Sequence, residues 1–573
     1  MQEMPRLILI GLVCAQGWAL TVNRLNGGGT LIYVDFSLPG GVVPLELVRS
    51  YNSLTALTEP TGWLGMFGWG WTSPLETFLT VTPDRGVLLR DGGSGNILAF
   101  KPQSDAGQAR SELLQRLKKP FLEARLGRKL TDADAARMEW PATALKQLEA
   151  DASYRAQLAR KYKIALPLTG GQVLVSKTYG YETLQLEKNG SWKRQKDGLT
   201  QTFDKNGRLT GQLDRSGFEI SLKYSGKQLA EVSDRNRLHT LKFTFARDRV
   251  MEVADNRGDR ARYIYDDTGN LTRVTDSKSH VFAFRYENKK FPHLLSRIDY
   301  VSEGAKTPPY REIRYDENGL VVFHRDKEGT ETQYEYGKNP ANPEFQFWTK
   351  TLVKNGTQTR EEYDEYLVKA RDEGGKYLFR QEKKRANETE VTLFNECCGQ
   401  PLTVTKNNQV TSLKYYDNGL LKERVGPTED LRVEYDPRWN KISQVRINGA
   451  LSRYKYDGQG NLVEGSDSMG SKVTLTYDAV GHISTLGDNQ GKLLSISYGP
   501  LGKPETISEK LGGTVRITYD ATGKITRATV LTPKGSGRTP AFGKSQVVVT
   551  QILKMFQGLL GVLRPAGIAS SGL

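Results

Sequence analysis

The side chains best suited to metal binding or proton transfer in this 573-residue chain are its five histidines, His239, His280, His293, His324 and His482. None stands in an HExxH or HxH spacing, so no local motif brings two of them onto one metal. Cys397 and Cys398, in "FNECCGQPL", are adjacent and have no other cysteine or histidine nearby, which does not make a zinc site. They admit two readings: a strained vicinal disulfide, which suits an oxidising compartment, or two thiols at a turn, one buried and one exposed. The acid pairs Asp266-Asp267 and Glu361-Glu362 read as solvated turn residues. No GxSxG elbow and no phosphate-cradling glycine loop occurs. These residues point to a protein that is not an enzyme and holds no metal or cofactor.

The formal net charge of +16 also has chemical content. A basic surface attracts nucleic acid, anionic polysaccharide or lipid headgroups over about a Debye length. Here Lys and Arg are spread through the chain without a basic cluster interleaved with aromatics, which reads as a solvated face and argues against nucleic acid. For an exported chain, an anionic polysaccharide is the polyanion that fits.

What does recur is an aromatic residue, an aspartate, and a glycine three places after the aspartate. Tyr435, Tyr456, Tyr477, Tyr498 and Tyr519 lie 21 residues apart, and a fixed period is the mark of a repeat architecture. The full phrase appears as Tyr265-Asp266 with Gly269, Tyr315-Asp316 with Gly319, Tyr456-Asp457 with Gly460, Tyr477-Asp478 with Gly481, and Tyr519-Asp520 with Gly523. Outside the 21-residue series the phrase recurs at looser intervals, as Phe203-Asp204, Tyr265-Asp266, Tyr315-Asp316, Tyr363-Asp364 and Tyr416-Asp417, while Tyr224, Phe245, Tyr286 and Tyr336 keep the aromatic and lose the aspartate.

The spacing assigns each part a task. Ahead of Asp478, Val473, Leu475 and Tyr477 alternate with Lys472, Thr474 and Thr476, the period of a half-buried strand. The aspartate opens a turn by accepting bonds from backbone groups ahead of it, and the glycine takes a positive φ. One unit is two short strands and two turns. A lone hairpin cannot bury its apolar face, so the units must stack into a continuous sheet that curls.

"YDDTGNLTRVTD" (265–276), "YDENGLVVFHRDKEG" (315–329) and "FDKNGRLTGQLDRSGFEISLKY" (203–224) resemble the YD, or Rhs, repeat of bacterial Rhs polymorphic toxins, Tc toxin shell components and teneurins. The early "RSYNS" and "GWGW" resemble the β-rich stretch that precedes those repeats. The resemblance implies a mainly β fold: a β-spiral of stacked hairpins forming an open or partly closed shell, in some members around a C-terminal toxin. Family shells that cut off their own toxin carry a DPxGL core motif. The only Asp-Pro here, Asp436-Pro437, is followed by "RWNK", so no protease residues carry over. The repeats are also far fewer than in the toxin shells.

The flanks complete the layout. Residues 1–19 read as an export signal, with Arg6 ahead of an apolar run from Leu7 to Val13. Residues 20–102 form the N-terminal β-rich region. Residues 103–166, rich in Ala, Leu, Lys and Arg, read as a helical insertion with a capping box over Thr131–Asp134, either a lid or docking arm or a helical pair packed outside. Residues 167–532 form the repeat shell and 533–546 a linker. Residues 547–573 carry an amphipathic helix too short to span a membrane and suited to a partner or a membrane surface.

Three readings follow: an exported, non-enzymatic shell or scaffold that binds or encloses a protein cargo or surface partner; a toxin-delivery shell whose toxin is separate or lost; and an enzyme acting on cell-wall polysaccharide. The residues favour the first, because they supply an architecture and no visible chemistry.

Overall fold

The computed structural model describes residues 20–38, 45–57, 64–102, 106–176, 182–196, 199–213, 219–235, 237–301, 309–370, 376–396, 399–479, 482–489, 493–499, 503–509, 514–519 and 525–531. The expected export signal, linker and C-terminal helix lie outside these residues, as do Cys397, Cys398, Gly481, Asp520 and Gly523.

Among the described residues one antiparallel sheet of 36 strands dominates, from Phe78–Val81 to Ile525–Leu531, each strand pairing with the next in sequence. It starts earlier than the repeat pattern does. Phe78–Val81, Val87–Arg90 and Ile97–Pro102 are its first three strands, and Pro102 pairs with Leu174 across the whole helical insertion. The sheet curls until its first strand meets the turn before Leu209–Leu213, through a bridge between Phe78 and Arg208. From there it continues as a spiral. No pairing joins its two terminal strands among the described residues, so it is not a closed barrel.

The turn chemistry follows the sequence. Asp457 Oδ1 accepts the N–H groups of Gln459 and Asn461 at 2.8 and 2.9 Å, and Gly460 has φ +86°. Asp266 and Asp316 do the same for the residues two and four places ahead. Two looser copies behave differently. Tyr363-Asp364 lies inside the long strand Gln358–Ala370 and makes no turn, since no glycine follows to release the chain. In "YYDNG" it is Tyr416, not Asp417, that takes the aspartate's place: its N–H bonds Leu420 O, and Gly419 N–H bonds Tyr416 O. The repeat tyrosine there is Tyr415.

The insertion is helical over Ala106–Leu126, Asp132–Arg137, Ala142–Ala150 and Ala152–Lys161, with its own core of Leu113, Leu117, Leu148 and Ala159. Thr131 caps its helix by accepting the Asp134 N–H at 3.1 Å. The insertion is tied back to the start of the sheet by Arg85 with Glu112 at 2.8 Å and by Leu166 N–H to Pro83 O at 2.9 Å.

Candidate functional site

The tyrosine of each repeat does more than close a buried row. The strand register slips by one residue just before it, as at Ile264/Tyr265, Lys455/Tyr456, Thr476/Tyr477 and Ser497/Tyr498. Such a bulge re-aims the side chain that follows. The hydroxyl then donates to a carbonyl of the preceding hairpin, 14 or 15 residues back for Tyr265 to Val250 O, Tyr456 to Ile442 O, Tyr477 to Leu462 O, Tyr498 to Ile483 O and Tyr519 to Pro504 O, and 20 back for Tyr315 to Leu295 O, at 2.6–2.9 Å. Burial pushes the Tyr477 and Tyr498 hydroxyls up to about 12, so they stay donors. Each tyrosine fastens its own hairpin to the one before. Periodicity shows the tyrosine but not its acceptor.

On the inner face of the sheet lies the N-terminal segment. Its four-stranded sheet is built from Thr21–Val22, Gly29–Leu38, Leu45–Asn52 and Trp71–Thr72, and it shares one core with the repeats as far as Val321. The "GWGW" turn explains itself here. Gly68 has φ +94° and a Cβ on it would stand 2.6 Å from Gly269 O, so only glycine lets the turn approach a repeat turn this closely. Trp69 stacks on His293 with centroids 4.5 Å apart and donates to Thr268 O, while Trp71 is fully buried and donates to the Tyr286 hydroxyl.

At the centre of this contact Arg49 and Asp35 form a two-bond ion pair at 2.9 and 3.1 Å, both side chains essentially without solvent. The Arg49 guanidinium packs over Trp71 at 4.3 Å and Tyr33 at 4.9 Å. The Tyr263 hydroxyl, whose ionisation burial pushes far up, donates to Asp35 at 2.9 Å. A buried charge needs partners of this kind; Asp35 takes Nε and Nη2, and the aromatic rings take the face of the guanidinium, while Nη1 is left without a hydrogen bond.

A second charged cluster sits where the N-terminal segment ends on the sheet. Arg24 reaches Glu362 at 2.6 Å and Asp364 at 2.9 Å, Arg385 bonds the same two carboxylates, and Arg360 bonds Glu362 at 2.7 Å. Burial works against the Glu362 carboxylate, yet Arg24, Arg385 and Arg360 hold it below its ordinary range. This corrects the reading of Glu361-Glu362 as turn acids: both lie in a strand, Glu362 is only 6% exposed, and Glu361 faces the other way to pair with Lys350.

The inner row of side chains changes character at this point. From Ile220 to Val321 it is mostly apolar and buried, with Leu222, Val232, Val253, Tyr263, Val274 and Phe284 among its members, and Arg311, aligned with Ile298, is a buried charge within it. Across the next strands the aligned positions are Thr349, Asp364, Lys383 and Glu390 in one row and Gln381, Thr392, Val404 and Thr411 in the row beside it, while Arg424 aligns with Leu413. An apolar core resumes from Leu431 to Leu494. The middle of the spiral is thus lined with polar side chains; Arg24 of the N-terminal segment covers the first of them, Thr349 and Asp364, and the later ones lie past that contact.

Of the other titratable groups, burial pushes Glu76 up to about 8 although its carboxylate accepts the Met66 and Ser73 N–H groups. His324, stacked on Tyr334, is pushed down to about 4 by burial and by Arg311. His280 and His482 pair with Asp276 and Asp478 inside repeat turns, and His293 bonds Asn270. The five histidines stay apart, and among the described residues no three metal-ligating side chains converge.

Residues 246–281 and 456–493 match the model of the RHS Repeat family, and residues 21–100 match a domain of unknown function, DUF6531. No curated protein sequence matches the chain. Among solved structures it is similar to a TcdB2-TccC3 crystal structure at 11% identity and TM-score 0.37, covering 67% of this chain and 26% of that one. It is also similar to the Photorhabdus luminescens Tc holotoxin pore at 10% identity and TM-score 0.37, covering 88% and 30%. The chain spans less than a third of the length of these structures.

Proposed function

From the premise that this chain belongs to the Rhs-repeat family, we propose that it is an exported, non-enzymatic shell or scaffold that holds a polypeptide partner against its inner face. The observation that carries this reading is the pair of largely polar inner rows that run from Thr349 to Glu390 and from Gln381 to Thr411. A sheet whose only task is to bury itself would keep those rows apolar, as most inward positions before them and those from Leu431 onward do. Polar side chains at inward positions suit water or a hydrophilic chain in the space they face. The carboxylates in the row give no free acid pair for hydrolysis, because Glu362 and Asp364 are held by arginines.

The test is purification of the secreted protein followed by native mass spectrometry and protease challenge. A copurified polypeptide that resists protease until the shell is unfolded supports enclosure. A single bare chain whose inner-row lysine Lys383 reacts freely with an amine reagent, and which retains no polypeptide, overturns it.

A further inference from the structure

The first strand of the sheet, Phe78–Val81, has one side paired with Val87–Arg90, and its other side meets the turn at Gly207 and Arg208 through Phe78 and Leu79. In an antiparallel pair the N–H and C=O groups of alternate residues point away from the partner strand. Leu79 is such a residue, since its N–H bonds Gly207 O at 2.8 Å on the far side. Thr82 N–H turns inward to Gly86 O. Val81, between them, therefore points its N–H and C=O outward, and neither has a hydrogen-bond partner among the described residues. Further on, Pro83 O accepts the Leu166 N–H at 2.9 Å. The edge is thus occupied at Leu79 and at Pro83 and open at Val81, a span of about 13 Å at the usual strand rise, which is room for about three residues.

Beside this gap is a cleft of about 330 Å³, lined by Val81, Thr80, Trp192, Lys205 and Gly207 among others. Trp192 is 4% exposed, and Val81 is 48% exposed. Lys205 is exposed and makes no ion pair among the described residues. Gly207, at φ +83°, brings its turn so close that a Cβ would stand 2.2 Å from Leu79 O, which seals the inner end of the cleft.

We propose that this cleft is a β-augmentation site for an extended segment of another polypeptide. The segment pairs with the Val81 N–H and C=O, lays an apolar side chain against Trp192 and Val81, and places a carboxylate on Lys205. Unpaired edge groups are a template for strand addition, and pockets beside them give selectivity for alternate side chains. The lone cation at the rim selects an acidic side chain or a C-terminal carboxylate over a basic segment. The site is on the sheet edge and not on the inner face, so it stands or falls independently of the enclosure reading.

The test uses fluorescence anisotropy with labelled synthetic peptides of alternating Thr and Val, ending in Asp-COOH, in an amide, or in Lys. The acid-ended peptide should saturate with a micromolar Kd. Val81→Pro removes an N–H that makes no bond in the protein and that edge strands readily do without, so the fold should survive while binding falls at least about tenfold. Lys205→Glu, at an exposed position, should weaken the acid-ended peptide about tenfold and leave the amide-ended one unchanged. No saturation up to roughly 1 mM, or equal binding by wild type and both variants, overturns the proposal. A concentration-dependent dimer that Val81→Pro abolishes would also overturn it, by making a second copy of the chain the occupant.

Discussion

Tyr263 donates its hydroxyl to Asp35 at 2.9 Å across 228 residues of sequence, and both side chains are buried. This bond and the Asp35–Arg49 pair beneath it join a repeat strand to the N-terminal sheet. Asp35→Ala would leave the Arg49 guanidinium buried without its counter-charge, at a cost of about 3–5 kcal/mol, whereas Tyr263→Phe removes one bond to a charged group at about 1.5–3 kcal/mol. Urea unfolding of the two variants should rank them in that order. Equal losses would mean that Asp35 does not neutralise Arg49.

The tyrosine fasteners predict a graded series. Tyr477→Phe keeps the ring and deletes the hydroxyl bond to Leu462 O, a loss of about 1 kcal/mol, while Tyr477→Ala also opens a cavity and should lose about 3–5 kcal/mol. Hydrogen exchange should localise the change to the hairpins around Leu462 and Tyr477. If exchange rises uniformly over the spiral, the hairpins do not act as neighbouring units.

The glycines offer a paired comparison at similar backbone angles. Gly226 has φ +59° and open space where a Cβ would stand, so Gly226→Ala should cost only the backbone term of about 1 kcal/mol. Gly207 has φ +83° and backbone 2.2 Å from that position, so Gly207→Ala must also push the turn off Leu79. Its melting temperature should fall further, and a pair of equal shifts would mean that the contact closing the first circuit of the sheet carries no stability.

How much of this was legible in the sequence depends on what the residues had to do. The strand alternation and the Asp–Gly turns are local, and Asp457 with Gly460 appears as the period requires. Tyr363-Asp364 and Tyr416-Asp417 misled because a turn depends on the glycine as well as the dipeptide, and because two adjacent tyrosines hide which one follows the bulge. The Arg24, Glu362 and Arg385 cluster was invisible. Arg24 lies more than 300 residues from the other members, 340 from Asp364, and no local pattern encodes that pairing. The polar inner row was hidden for the same reason, since inward and outward positions are fixed only once register and bulges are known.

His324 gives a pH dependence. Its imidazole is pushed from 6.5 down to about 4, so the unfolded chain takes up a proton between those values and the native protein does not. Stability is then full above about pH 6.5 and falls as pH drops toward 4, by up to about 3 kcal/mol. His324→Phe keeps a ring to stack on Tyr334 and should flatten the melting temperature between pH 4 and 6.5. An unchanged slope in that variant would assign the acid sensitivity elsewhere.

The N-terminal sheet precedes in sequence every repeat that it packs against. During synthesis the growing chain therefore carries its own mandrel: Asp35, Arg49 and Trp71 leave the ribosome before Tyr263, Phe284 and Tyr286 do. Each new hairpin finds its predecessor's edge and an apolar surface already waiting, and the winding proceeds in one direction. Past the ion pairs of Arg24 with Glu362 and Asp364, each hairpin packs on its predecessor, and the core from Leu431 to Leu494 is built by repeat residues without the mandrel.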